Sequence, residues 1–140
     1  MASIFTRIIN GELPGRFVWR DDDVVAFLTI EPMGVGHTLV VPREEVDHWI
    51  EMSPALNAKV FEVARIIGTA IQAAFNPKRV GVIIAGDEVP HTHVHVIGFH
   101  TVGQLSFAGA DRNASAASLD ATAVAIRKEL AAMGHASNLG

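Results

Sequence analysis

The sequence predicts an α+β domain: a mostly antiparallel five-stranded sheet carrying one long helix and a C-terminal helix. Three observations lead there. Residues 91–99 alternate in character with a period of two, residues 54–75 repeat apolar side chains at three- and four-residue steps, and the chain order is strands, long helix, strands, final helix. With 140 residues, 49% hydrophobic and 19% charged, the chain is sized for one globular domain spanning 1–140.

Taken in order, Ser3 caps a short helix that reaches Ile9, with Ile4, Phe5, Ile8 and Ile9 on its apolar side; Asn10-Gly11 stops it. After the Pro14-Gly15 turn, residues 16–20 and 24–30 form a hairpin around the acidic turn Asp21-Asp22-Asp23, a charge run expected to be solvated. Gly34 and Gly36 lie in the connection to a third strand over 37–41, closed by Pro42. Residues 44–52 are expected to form a short helix carrying Val46, Trp49 and Ile50. Ser53-Pro54 then opens the long helix with a capping hydroxyl and a proline at its first position. Leu56, Val60, Val63, Ile67, Ile71 and Ala74 line its apolar stripe, Phe61 and Ile66 widen it, and Asn76-Pro77 ends it. Residues 79–85 form an apolar strand, and the histidine-bearing strand follows from Pro90 to Phe99. The Gly-, Ala- and Ser-rich stretch 101–117 reads as loop. Ser118 is expected to cap the last helix, with Leu119, Ala123, Ile126, Leu130 and Met133 on one face and Gly134 at its end.

The functional signal is the run from Pro90 to Phe99, in which His91, His93 and His95 alternate with Thr92, Val94 and Val96. On a strand, period two puts the three imidazoles on one face and the β-branched residues on the other. Three chemistries fit such a row. It can hold a metal, with His37 or Glu88 as further ligands, because histidine is the commonest metal ligand. It can be a set of hydrogen-bonded core histidines. Or it can act on a phosphate ester: neutral imidazole is nucleophilic, one neighbour fixes its tautomer, and another neutralises phosphoryl oxygens. His48, His100 and His135 read as surface or rim residues, and Trp19 and Trp49 as core or interface.

Composition excludes several classes. The net charge of −4 argues against a partner held by counterion release, such as bulk nucleic acid. Without cysteine there is neither a disulfide framework nor a thiolate metal site. No apolar run approaches a membrane span, and the N-terminus does not resemble a signal peptide, so a cytoplasmic protein is expected.

The motif His91-Thr92-His93-Val94-His95-Val96-Ile97 resembles the signature of the histidine triad (HIT) family, His-φ-His-φ-His-φ-φ, with Thr92 the one weak apolar fit. The segments Ile8–Pro14, Asp22–Leu28, Gly36–Pro42 and Gly86–Pro90 are similar to their family counterparts. The resemblance covers about residues 3–100 and leaves 101–140 as a C-terminal loop and helix. It implies a HIT fold that dimerises into a continuous sheet, with the long helix at the contact of a homodimer. It also implies a hydrolase or nucleotidyl transferase, of the phosphoramidase or dinucleoside polyphosphate hydrolase type. Such an enzyme acts on a nucleoside phosphoramidate, dinucleoside polyphosphate or related nucleotide through a covalent nucleotidyl-histidine. A nucleotide-binding regulatory protein with little turnover is the alternative.

Carried onto this chain, the resemblance makes His93 the nucleophile and His95 the group that binds phosphate and assists the leaving group. His91 orients the nucleophile, and His37 is a hydrogen-bond partner behind it. Ile4, Phe5, Ile8, Phe27 and Ile30 form the nucleoside pocket, and Leu28, Thr29, Asp87, Glu88 and Val89 complete the substrate-binding set. No cofactor is required and no metal is expected. The chain departs from the pattern at several places, among them the loop between Val82 and Gly86, which is short and lacks the asparagine often found there. Ser3 and Thr6 stand where some members have the Cys-x-x-Cys of a structural zinc. Thr29 stands where many have a ribose-binding acidic residue, and Asp87 where glutamine is common.

Overall fold

In the computed structural model, which describes residues 1–139, five strands make one antiparallel sheet in the order β1-β2-β3-β5-β4. They are β1 (Phe17–Arg20), β2 (Val24–Leu28), β3 (Val35–Pro42), β4 (Arg79–Ile83) and β5 (Val94–Phe99). The helices are α1 (Ile4–Ile9), α2 (Pro54–Phe75) and α3 (Ala116–Ala132). Gly140, the last residue of the 1–140 unit, lies outside the described residues. Among the described residues, no helix is long and apolar enough to cross a membrane.

The local signals that start and stop the long helix operate as chemistry demands. Ser53 Oγ accepts the Leu56 N–H, a cap that contributes about 1 kcal/mol, and Asn76 takes the left-handed conformation (φ 48°) ahead of Pro77. Strand alternation then divides the sheet between two cores. Val24, Ala26 and Leu28 of β2, Val40 of β3, and Val94 and Val96 of β5 pack with Val60, Val63, Ile67 and Ile71 of α2 and Ile126 of α3. Val25, Phe27, Leu39 and Val41 point the other way, beneath Phe5 and Ile9 of α1. His37 shares the parity of Leu39, and His95 alternates with Val94 and Val96. Both therefore belong to the α1 face.

One irregularity of β3 matters to the site. Val35 pairs with Gly98 but Thr38 with Val96, so three steps on β3 match two on β5. Gly36 (φ +69°) absorbs the extra residue, and the resulting bulge sets the direction of His37 next to it.

Five expectations are corrected. Residues 44–52 do not form a helix beyond a single 3-10 turn at Trp49–Glu51. The Val46 carbonyl accepts both the N–H and the hydroxyl of Thr92, and so is engaged away from its own segment. The histidine strand begins at Val94, leaving His91 and His93 just before it: the His91 and Thr92 N–H groups donate to Val89 and Val46 rather than to a ladder. The strand over 24–30 stops at Leu28, so Thr29 and Ile30 lie in the connection. The last helix starts two residues before Ser118; Ser115 Oγ accepts the Ser118 N–H, making Ser115 the cap. The acidic turn is also more structural than a solvated charge run. Asp21 accepts from the Asp23 and Val24 N–H groups and from Trp19 Nε1, and pairs with Lys59.

Candidate active site

The three motif histidines and His37 are buried at the mouth of the α1 face, with exposures of 0% for His91, 3% for His37 and 8% for His93 and His95. Although only His95 lies in β5, the rings still form a continuous group. The His93 and His95 centroids are 5.0 Å apart, His37 and His95 5.1 Å, and the Phe5 ring stands edge-on to His93 at 4.8 Å and to His91 at 5.8 Å.

Hydrogen bonds fix the tautomer of each ring, from main-chain groups for His37, His91 and His93 and from the His37 side chain for His95. The Met33 N–H donates to His37 Nδ1 (3.0 Å), so neutral His37 carries its proton on Nε2. That proton goes to His95 Nδ1 (2.8 Å), which leaves His95 with an Nε2–H. His93 donates its Nδ1–H to the His91 carbonyl (2.7 Å), so the lone pair of His93 is on Nε2. His91 donates Nε2–H to the Pro42 carbonyl (2.7 Å) and accepts from Ser3 Oγ at Nδ1 (2.6 Å). Ser3 also caps α1 by accepting the Thr6 N–H. Glu45 binds both the Ser3 N–H and the Thr6 hydroxyl (2.6 Å each). No buried side-chain nitrogen or oxygen among the described residues lacks a partner. The Nε2 atoms of His93 and His95 have no hydrogen-bond partner among the described residues, and both rings line a cavity.

Burial depresses the basicity of these rings. Desolvation, followed by the nearby His95, lowers His37 to about 3. Desolvation, followed by His93, lowers His95 to about 4. His93 is lowered chiefly by desolvation, with its bond to the His91 carbonyl and Glu88 opposing. All three are neutral at pH 7. The unfolded chain, with histidines near 6.5, takes up protons first as pH falls, so this contribution to stability is intact above 6.5 and is lost toward 4 and 3. Each group steepens the loss by up to about 1.4 kcal/mol per pH unit. The urea midpoint is therefore expected to fall markedly from pH 7 to pH 5; an unchanged midpoint would contradict neutral burial.

A cavity of about 370 Å³ opens over the rings, and His37, His93 and His95 reach it. Of the sequence-derived binding residues, Ile4, Phe5, Thr29, Asp87, Glu88 and Val89 line it. Phe27 stands behind Phe5 (ring centroids 5.7 Å) and Ile8 packs partly buried in the same cluster; both support the wall rather than line it. Leu28 does not belong to this side. It alternates with Phe27 and is buried in the α2 core. Ile30, 68% exposed, lies outside the lining as well. Thr29 uses its hydroxyl to accept the Glu31 N–H. Phe107, Ala110 and Arg112 of the 101–115 loop also line the cavity, and sequence reading missed them. Phe107 stands edge-on to His95 at 5.2 Å. Their signal was faint: one aromatic and one cation in a stretch otherwise rich in Gly, Ala and Ser.

The HIT domain family model matches residues 10–102. An uncharacterised HIT-like protein of Borreliella burgdorferi is 43% identical over 101 residues, covering 67% of this chain and 73% of that one. The purine nucleoside phosphoramidase of Escherichia coli is 32% identical over 113 residues, covering 74% of this chain and 92% of that one. A zinc-bound histidine triad family protein from Mycobacterium smegmatis shares the fold with a TM-score of 0.82 at 25% identity, covering 97% of this chain and 98% of that one. The residues here do not suit a zinc site of the Cys-x-x-Cys kind. Ser3, Thr6, Glu45 and His91 are bonded to one another, and hydroxyls replace thiolates. Among the described residues, no three or more His, Asp or Glu side chains are gathered to hold an ion. By its motif, its fold and these matches, the chain belongs to the histidine triad family.

Proposed function

We propose that the protein is a nucleotide hydrolase or nucleotidyl transferase in which His93 carries the nucleotidyl group. The observation that supports this best is the His93 ring. Its Nδ1–H is held by the His91 carbonyl, and its Nε2 lone pair opens into a cavity of nucleotide scale. In this reading Nε2 bonds to the α-phosphorus, and the bond to the leaving group breaks with its electron pair going to the departing atom. His95 Nε2–H donates to a phosphoryl oxygen or to that atom, offsetting the developing charge. Water then cleaves the phosphorus–nitrogen bond, releasing a nucleoside monophosphate and restoring His93. The relationship to a purine nucleoside phosphoramidase supports the general class. A nucleoside phosphoramidate or dinucleoside polyphosphate is the proposed substrate, the cytoplasm the proposed compartment, and no cofactor takes part.

A screen of nucleotides and phosphoramidates, with and without chelator, tests this reading. Monophosphate release that survives chelation, together with an acid-labile nucleotidyl adduct by mass spectrometry, is expected. Nucleotide binding without release in any arm would favour the regulatory alternative, and chelator-sensitive release a metal-dependent reaction.

We also infer a homodimer. The β4 edge is bonded to β5 on one side only, and beside it Phe61, Ala64 and Gly68 of α2 form an open groove with Val80 and Val82. Val82 is 50% exposed and Phe61 36%. An unpaired edge next to an apolar helix face invites an isologous partner. Sedimentation is expected to give twice the 15.0 kDa chain mass at micromolar concentration. A species of single-chain mass would overturn the inference.

A further inference from the structure

The family match stops at residue 102, but the lining of the cavity continues to Arg112. The intervening loop is well tied down. The Gln104 side-chain oxygen accepts the His100 and Thr101 N–H groups, and the Asp111 N–H donates to the Pro32 carbonyl, beside the Met33 that orients His37. Arg112 sits at the end of this loop with its guanidinium partly engaged. Nη1 donates to the Ala108 and Ala110 carbonyls at 3.4 Å each, and Nη2 to the Phe107 carbonyl at 3.3 Å. These are long, weak bonds, and they use three of five N–H donors. The other two have no partner among the described residues.

The charges around the cavity are unequal. Glu31, Asp87 and Glu88 line it as carboxylates, and Arg112 is the one lysine or arginine that does so among the described residues. Glu88 lies close enough to influence His93, whereas Arg112 is tied to Phe107, whose ring abuts His95. An anionic extension beyond the α-phosphate meets like charge at Asp87 and Glu88 and finds its opposite charge at Arg112, which shares the loop end with Asp111 and, through Pro32, with Glu31. Guanidinium is suited to phosphate because its fork matches two oxygens at once.

We propose that Arg112 selects the leaving group, binding the phosphate that follows the α-phosphate and so favouring polyphosphate-bearing nucleotides over phosphoramidates, whose leaving amine carries no phosphate. This rests on the nucleotide-site reading above. A loop that merely used Arg112 as an internal tie would affect all nucleotides alike.

The test is calorimetry on the full chain in a His93→Ala background, where binding is read without turnover. Matched pairs of nucleoside monophosphate and diphosphate, with adenine and guanine bases, serve as probes. The diphosphate is expected to bind about tenfold tighter than its monophosphate, the scale of one exposed charge-assisted contact. Arg112→Gln is expected to reduce that ratio to about one, and Arg112→Lys to retain part of it. A ratio of one before mutation, or a preference that persists in Arg112→Gln, overturns the proposal. An Arg112→Gln variant that weakens mono- and diphosphate equally leaves the ratio intact and overturns it too. Failure of the catalytic reading would appear separately, as absent monophosphate release by the chain that retains His93.

Discussion

His93→Ala is expected to lower turnover by about 10⁴-fold or more, the scale on which removing a nucleophile acts in enzymes that pass through a covalent intermediate. The effect is large because no other ring can take over the task. His91 has both nitrogens engaged, by Pro42 and Ser3, and His95 presents a hydrogen rather than a lone pair at Nε2. The fold, by contrast, should survive. The main loss is one hydrogen bond to the His91 carbonyl, a cost of about 1 kcal/mol at a site that water can enter through the cavity. Binding of a nucleoside monophosphate should change by less than an order of magnitude. Steady-state kinetics alongside a thermal melt checks both halves, and turnover within tenfold of the parent would rule out His93 as the nucleophile.

The second large effect concerns His37, which does not reach His93 but controls its neighbour. His37→Phe is expected to reduce kcat about 100-fold, as loss of an orienting partner does at other sites. With phenylalanine there, nothing specifies which nitrogen of His95 carries the proton. The tautomer with Nε2 unprotonated would present a lone pair to phosphate oxygens. The Met33 N–H and His95 Nδ1 also lose their partners in a buried place, so the variant should melt lower. A purely structural role is separated by His37→Gln, whose amide can accept from Met33 and donate to His95. Glutamine is expected to recover at least tenfold of the lost kcat. Equal kcat in the phenylalanine and glutamine variants, both measured well below their melting temperatures, would refute the tautomer argument.

Much of this was legible in the sequence because it is local. The α2 stripe, the β1–β2 hairpin and the Ser3 and Ser53 caps are read from neighbours a few residues apart. What was misread depends on distant partners. Residues 44–52 carry apolar side chains that suit a helix, but the Val46 carbonyl is claimed by Thr92. The same contact keeps His91 and His93 out of the ladder while leaving their rings grouped. Leu28 is a different error. Period two on β2 already sets Leu28 opposite Phe27, so it could have been assigned to the α2 core from sequence. Phe107 and Arg112 could not be placed, because no periodicity records how a glycine-rich loop folds back across β5.

Three of the four hydrogen bonds that set the proton positions have a main-chain partner: the Met33 N–H on His37, the His91 carbonyl on His93 and the Pro42 carbonyl on His91. Side-chain mutation cannot delete these three groups, proline at position 33 excepted; the fourth bond, from His37 to His95, is the one that a side-chain change can break. The instructions for the chemistry are therefore stored mostly in the course of the backbone, with His37 as their one side-chain link, and the rim residues Thr29, Asp87, Glu88 and Arg112 are free to drift without touching them. A site built this way can change what it accepts while keeping how it reacts. The same reactive core can thus be retained by descendants that recognise quite different molecules.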